Sequence, residues 1–473
     1  MKIEILLVFS VWLFSFQLSA QIPKPLGTGR TVELEALQTA SGAFVAATME
    51  RLQTATSIEE YILIYRSTDL GRNWNQIDSI YGPRGSGDPV LAKDDNGVLY
   101  LIFMDIWLGS DLRIDLNLYT SHDDGLSWQY VSAPQFNNNL ADYPQLLATG
   151  NGELFLAYSH FNLTANGLLE GNTVFKRSMD GGLNWLQTYT LPFKNGNSAG
   201  PDLCFLNSTS LMLSVGNTDA SEIYVLYSAD KGLSWSAVDT LKHTDTTNVF
   251  NITKPKTSKR HLGVLAHQPH QLNSPLTYYF NDSIGSNWQS NTFAEGAYAE
   301  SLIDSSGAIH VIYNRQNGNR FELNYILSTN GGLYFSAPIV LYSASFETTA
   351  LGEYQSFIKG MDGQFYVTFC DWSDASKAKM LVFGEDVSKT ESTPLKNAFI
   401  FPNPGRCNFT IDVDAYLEVS KIVVTDQKGR TIKNIQVQNN PNITFDLPNV
   451  GAGNYLVQIH TENTIIVQRL VKL

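Results

Sequence analysis

Carboxylates and aromatic rings recur along this chain at the edges of apolar runs: Glu33 and Glu35, Glu50 beside Arg51, Asp88, Asp105, Asp142 beside Tyr143, Tyr158 near His160, Asp202, Tyr298 near Glu300, Arg315, Glu353 beside Tyr354, and Asp371 beside Trp372. Such groups suit carbohydrate chemistry. Aromatic rings stack on the apolar faces of sugars, and paired carboxylates supply an acid with a base or nucleophile. The same residue types also serve as strand-end acceptors for backbone amides, so each position has a purely structural alternative. Other chemistries have no footing, because the sequence holds no HExxH, no phosphate-cradling glycine loop and no GxSxG elbow. No metal and no cofactor is expected.

What must position these side chains is a repeat. The octet SxDxGxxW occurs at Ser67–Trp74, Ser121–Trp128, Ser178–Trp185 and Ser228–Trp235, with decayed copies at Asn281–Trp288 and Ser328–Phe335. The spacing of roughly fifty residues matches one four-stranded propeller blade. Each octet reads as a hairpin turn: Asp and Ser side chains bond backbone N–H groups, Gly supplies a positive φ, and Trp plugs the turn with apolar surface.

Ahead of each octet lie two strands joined by a glycine turn, as in PVLAKDDNGVLYLIF from Pro89, PQLLATGNGELFLAY from Pro144, ESLIDSSGAIHVIY from Glu300 and QSFIKGMDGQFYVTF from Gln355. The second strand of each pair is almost continuously apolar, as befits a sheet covered on both faces. Seven such pairs begin with EALQTASGAFVAA at Glu35. The last has no octet after it, so its outer strand is expected from the N-terminal segment near Thr31.

The octets resemble the Asp-box (BNR) repeats of the sialidase superfamily, over residues from about 30 to 390. The resemblance implies an all-β fold, a β-propeller of seven blades or alternatively six, with the boxes on the rim away from the site. The boxes are then structural rather than calcium- or substrate-binding. The opposite face carries the start of each first strand and the end of each second strand, which is where the acids and aromatics fall.

The same resemblance implies roles for some of them. Tyr354 resembles the family's tyrosine nucleophile, Glu300 its glutamate partner, and Arg315 the arginine that ends the following strand. Arg51, Asp142, Tyr143, His160, Asp202, Tyr298 and Trp372 would join Arg315 in binding substrate. The pattern also departs from the family. Glu33 stands where the arginine of the first blade belongs, Arg30 lies too early, and the loop from Leu52 to Glu60 has Glu59 and Glu60 but no Asp. Asp88, with Asp142, offers another glycosidase a catalytic carboxylate.

A net charge of -13 opposes binding to phosphate backbones or anionic membranes, so nucleic acid is set aside as a partner. Residues 1–20 read as a cleavable export signal, with Lys2, an apolar stretch from Ile5 to Phe16 and small residues up to Ala20. No later segment is apolar enough to span a bilayer as a helix. Cys204, Cys370 and Cys407 are too few and scattered for a disulfide framework or a zinc site.

The propeller is expected over residues 21–387, a polar linker over 388–398 and a further module over 399–473. That last segment resembles the C-terminal sorting domain of the Bacteroidetes type IX secretion system, through Pro402-Asn403-Pro404, Gly429-Arg430, Gly453-Asn454-Tyr455 and the closing Val471-Lys472-Leu473. It implies a small β-sandwich, the secretion machinery as a partner, and an extracellular or outer-membrane-surface address. Two readings of the whole follow: a glycan-directed protein, either a divergent sialidase-like hydrolase or another glycosidase, and a non-catalytic propeller that binds an extracellular glycan or glycoprotein. A purely structural surface protein is the third.

Overall fold

Runs of β-branched, aromatic and aliphatic residues between glycine turns leave little room for helix, and strands make up nearly all the regular structure. The computed structural model describes residues 18–20, 24–26, 30–53, 58–81, 85–107, 112–135, 140–163, 169–192, 198–217, 222–242, 252–258, 261–268, 272–281, 287–345, 355–371, 377–385, 398–401, 405–413, 419–426, 430–437, 442–461 and 465–473. Among them the one helical piece is a 3-10 turn, Gly150–Gly152. The chain divides into two units, Met1–Glu385 and Asp386–Leu473.

In the first unit the described strands pair as successive antiparallel meanders over residues 31–81, 86–135, 140–192, 198–242, 252–296, 297–345 and 356–385. The long strand Gln289–Ile303 ends the fifth and begins the sixth. The innermost strands neighbour one another in order, and Ser356–Lys359 of the last returns to Thr31–Gln38 of the first. The Ala36 N–H donates to Ser356 Oγ at 2.8 Å across that junction. This is a β-propeller: successive sheets set around one axis, closed by contact between first and last.

The core is a set of seams between neighbouring meanders. Leu99, Leu101 and Phe103 pack on Val45, Ile62 and Ile64, and Phe155 and Phe175 pack on Leu203, Leu213 and Leu226. Both faces of a second strand are therefore covered, which explains its continuous apolar run.

The outer strand of the last meander comes from Leu18–Ala20 and Lys24–Pro25, both paired with Lys377–Glu385. The expectation of a strand near Thr31 is corrected: Thr31 opens the innermost strand of the first meander instead. Leu26 follows the pairing segment, donates its N–H to the Ala378 carbonyl at 2.8 Å, and buries its side chain against Leu34, Tyr65 and Cys370. One buried leucine thus ties the two ends of the ring.

The box turns close on themselves. Ser67 Oγ accepts the Gly71 N–H at 3.0 Å and donates to Asp69 Oδ1 at 2.8 Å, and Asp69 Oδ1 accepts the Asn73 N–H at 2.9 Å. The pattern repeats at Ser121, Ser178 and Ser228. At Ser328 the amide oxygen of Asn330 replaces the aspartate and still accepts the Tyr334 N–H at 3.0 Å. The copy at Asn281–Trp288 lies largely outside the described residues.

Boxes also stitch neighbouring meanders. Ser132, Thr188 and Asn291 donate to the carbonyls of Gly182, Gly232 and Gly332 in the following box, and Trp235 meets the Phe175 ring of the preceding meander edge-on at 4.8 Å.

The second unit holds two sheets. One contains Ala398–Phe401, Asn408–Val413 and Asn442–Asp446; the other orders Thr431–Gln436, Val419–Asp426, Gly453–Thr461 and Ile465–Lys472. Phe409, Ile411 and Phe445 from the first share one core with Ile422, Val424, Val457 and Leu470 from the second. Pro402, Asn403, Pro404, Gly429 and most of the expected linker lie outside the described residues.

Candidate functional site

At the end of the propeller opposite the boxes, the innermost strands do not begin as regular ladders. Register shifts fall between Gly87 and Val90, Asp142 and Gln145, Ala199 and Asp202, and Ala297 and Glu300. The residue inside each shift takes a positive φ: Asp88 at 48°, Tyr143 at 51°, Gly200 at 48° and Tyr298 at 50°. These are β-bulges, which bend a strand and re-aim the side chains that follow. Only one of the four is glycine. Asp88, Tyr143 and Tyr298 hold a left-handed conformation that costs a side-chain-bearing residue about 1–3 kcal/mol. Pro89, Pro144 and Pro201 come next in three of them, where a strand tolerates a missing N–H.

Side chains from adjacent meanders satisfy the backbone groups that the bulges free. Glu33 Oε2 accepts the Asp88 N–H at 2.6 Å, Asp88 Oδ2 in turn accepts the Tyr143 N–H at 3.2 Å, and Asp142 Oδ1 accepts the same N–H at 2.9 Å. Glu35 Oε2 accepts the Leu91 N–H at 3.1 Å. Between the sixth and seventh meanders the Gln355 Nε2 donates to the Tyr298 carbonyl.

These bulges surround a small open cavity of about 40 Å³, lined by Leu34, Glu35, Asp88, Pro89, Val90, Tyr143, Pro144, Gln145, Glu300 and Gln355. The fold therefore brings Asp88, Tyr143 and Glu300 together from the second, third and sixth meanders. Tyr298 sits buried in the bulge two residues before Glu300. Asp202 is buried on the fourth innermost strand, outside the lining, with its carboxylate accepting the Leu203 N–H at 2.7 Å.

The other expected residues lie elsewhere. Arg51 is held by Glu60 at 2.6 Å and is one-third exposed. Arg315 is partly buried on the sixth meander and His160 on the third, and neither lines the cavity. Burial, and then the nearby Lys176, hold the His160 imidazole below its usual pKa. Tyr354, Glu353 and Trp372 lie outside the described residues.

Some strand-end groups turn into seams instead. Tyr158 is fully buried with its hydroxyl on Gln135 at 2.8 Å. Asp371 is fully buried against Lys379 at 2.7 Å. Glu50 takes the Tyr65 hydroxyl at 2.7 Å, and burial outweighs that bond to raise its carboxyl pKa. Asp105 pairs across the ladder with Asp115; burial, and less strongly that neighbouring charge, raise its pKa.

Sequence reasoning missed Gln145 and Gln355, and it missed the bulges. The usable signal was the dipeptides Asp88-Pro89, Tyr143-Pro144 and Gly200-Pro201 just inside successive inner strands. Among the described residues no arginine lines the cavity, and no group of three or more His, Cys, Asp or Glu side chains is placed to hold a metal ion. No helix among them is long and apolar enough to cross a membrane.

Comparison with known proteins agrees with the architecture. A BNR repeat-like domain model matches residues 59–367, and a secretion system C-terminal sorting domain model matches residues 399–473. No curated protein matches the chain.

Among solved structures, an α-L-arabinanase of Penicillium chrysogenum complexed with arabinobiose is 18% identical, with 70% of this chain and all of that one covered, at a TM-score of 0.44. The Hadza microbial sialidase Hz136 is 17% identical, with 62% and 63% covered, at 0.40. A fungal alcohol oxidase in complex with copper is 13% identical, with 97% and 100% covered, at 0.50. The tail addresses the protein through type IX secretion to the cell surface or beyond. The BNR match spans more than half of the chain, and the protein belongs to the BNR repeat-like domain family.

Proposed function

We propose that this is a secreted or surface-displayed propeller that binds an extracellular glycan in the cavity at its axis. The observation that carries the reading is the convergence of Glu35, Asp88 and Glu300, from three meanders, on one open space beside Tyr143 and two glutamines. Carboxylates and amides arranged this way grip hydroxyl-rich ligands by several hydrogen bonds at once. The proposed route outward is export by residues 1–20 followed by type IX secretion through the tail. Cleavage after Ala20 would remove the outer strand Leu18–Ala20 and keep the Lys24–Pro25 pairing and the Leu26 anchor.

Hydrolysis is the second reading. It is favoured by the same three carboxylates, since two acids flanking one bond are what a glycosidase needs. Its catalytic residues would be Glu300 with Asp88, joined by Tyr354 if the chemistry is sialidase-like. Binding is placed first because Glu35 and Asp88 already accept backbone N–H bonds, which suits fixed acceptors better than a proton-donating acid.

A glycan array probed with the secreted chain, beside a panel of fluorogenic glycosides that includes a sialoside, tests both. Binding without turnover supports recognition. Turnover lost in Glu300→Gln and Tyr354→Phe supports hydrolysis. A chain that neither binds nor cleaves any glycan contradicts the proposal.

A further inference from the structure

Four innermost strands hold one residue inside a bulge, at Asp88, Tyr143, Gly200 and Tyr298, with φ between 48° and 51°. Gly200 shows that the bend itself needs no side chain, since glycine takes this conformation without strain. A bulky side chain kept there needs its own reason. Asp88 is 6% exposed, and its carboxylate accepts the N–H of the next bulge. Tyr298 is 3% exposed and packs as a buried ring. Tyr143 differs from both, because it stays partly exposed and lines the axial cavity.

The cavity sets the scale of what enters it. At about 40 Å³ it is far smaller than the roughly 150 Å³ in which a six-membered ring such as benzene is held. A sugar ring therefore rests at the mouth, and only a substituent reaches inside. Glu35, Tyr143, Gln145 and Glu300 are the partly exposed members of the lining, which places them at that mouth, while the rest is buried. Tyr143 is the one aromatic ring among the described residues of the lining. Its N–H is held by Asp88 at 3.2 Å and Asp142 at 2.9 Å, and Pro144 fixes the next φ, so the ring is carried on rigid backbone.

We propose that Tyr143 is a stacking platform held in a strained bulge, and that it selects glycans built of pyranose rings. This inference rests on the proposed glycan-binding reading and sharpens it. A pyranose chair with mostly equatorial hydroxyls presents a face of axial C–H bonds that packs flat on a phenol ring. A puckered furanose offers a smaller apolar face. Tyrosine also suits the task because its two side-chain torsions leave little freedom to lose on binding.

The test is calorimetric titration of the full secreted chain with cellotriose, xylotriose, a galactotriose and an arabinofuranose trimer. At least one pyranose trimer is expected to bind about tenfold tighter than the furanose trimer. Tyr143→Phe keeps the ring and should hold that affinity within about twofold, whereas Tyr143→Gly and Tyr143→Asn should weaken it about tenfold. Glycine and asparagine both tolerate left-handed backbone, so these two variants should melt no lower than Tyr143→Phe. A ring kept only for packing would make them melt well below it, and that result overturns the platform. Affinity unchanged in Tyr143→Gly overturns it as well. Furanose binding as tight as pyranose binding overturns the selectivity and leaves glycan binding intact. Binding of none of the four trimers overturns this inference, and failure on the glycan array too overturns the reading beneath it.

Discussion

The two ends of the propeller use the same residue types to opposite effect. At the box end the third-position aspartate of each octet bonds back into its own turn, with Asp123 accepting the N–H groups of Leu126 and Ser127 and the Ser127 hydroxyl. At the other end Glu33 and Asp88 reach forward to the bulge of the next meander. Both ends bend the backbone through positive φ, at Leu70, Asp124 and Lys231 in boxes and at Asp88, Tyr143 and Tyr298 in bulges. The serine and third-position aspartate of a box close its turn locally, while its glycine carbonyl and outer positions bond the neighbouring meander. A bulge is completed only by its neighbour, and it leaves acceptors turned to the axis.

The largest expected effect breaks the box end. A Cβ on Gly232 would lie 2.3 Å from the Phe175 ring in the seam between the third and fourth meanders, at a φ of 76°. Gly232→Ala should therefore cost about 3 kcal/mol or more, read as a large drop in melting temperature. Next comes the bulge end, where Glu33→Ala strands the buried Asp88 N–H at a cost of about 1–3 kcal/mol. Glu33→Gln keeps an acceptor and should recover most of that loss. Gly181→Ala should cost about 1 kcal/mol, the left-handed strain at a φ of 74° alone, since its Cβ meets nothing within 4 Å and other boxes place Leu70, Asp124 or Lys231 there.

Acidity sharpens the same contrast. Hydroxyl and backbone bonds, those of Ser127 and Ser234 first, hold the Asp123 and Asp230 carboxyls down at about 2. Their contribution to stability is complete above the usual aspartate pKa of about 3.9 and is lost as pH falls through 2. Glu50 runs the other way. Burial raises its pKa, so its contribution is complete below the unfolded value of about 4.3 and declines as pH climbs through the raised one. Melting temperatures followed from pH 2 to 7 should show Asp123→Asn flattening the acid limb and Glu50→Gln flattening the decline on its far side.

The architecture was legible because its signal is local. Serine, aspartate, glycine and tryptophan at fixed offsets define a turn whatever surrounds it, and even the Asn330 copy keeps the bonding. The site was only partly legible. Asp88, Tyr143 and Glu300 were found from the rule that acids at strand starts face the axis. Tyr158 satisfied a similar rule and yet packs into a seam, because a continuous apolar run does not reveal which face its last residue takes. Bulges are properties of pairing between strands, so one strand alone hints at them only through a proline just inside its start.

On the proposed reading, ligand binding belongs to the bulge end and not to the box end. The most direct measurement is glycan binding by the secreted chain and by its Glu300→Gln and Asp123→Asn variants, each verified as folded. Binding abolished or weakened about tenfold in Glu300→Gln and unchanged in Asp123→Asn is the predicted result. Binding that survives Glu300→Gln intact, or that falls with Asp123→Asn instead, would contradict it.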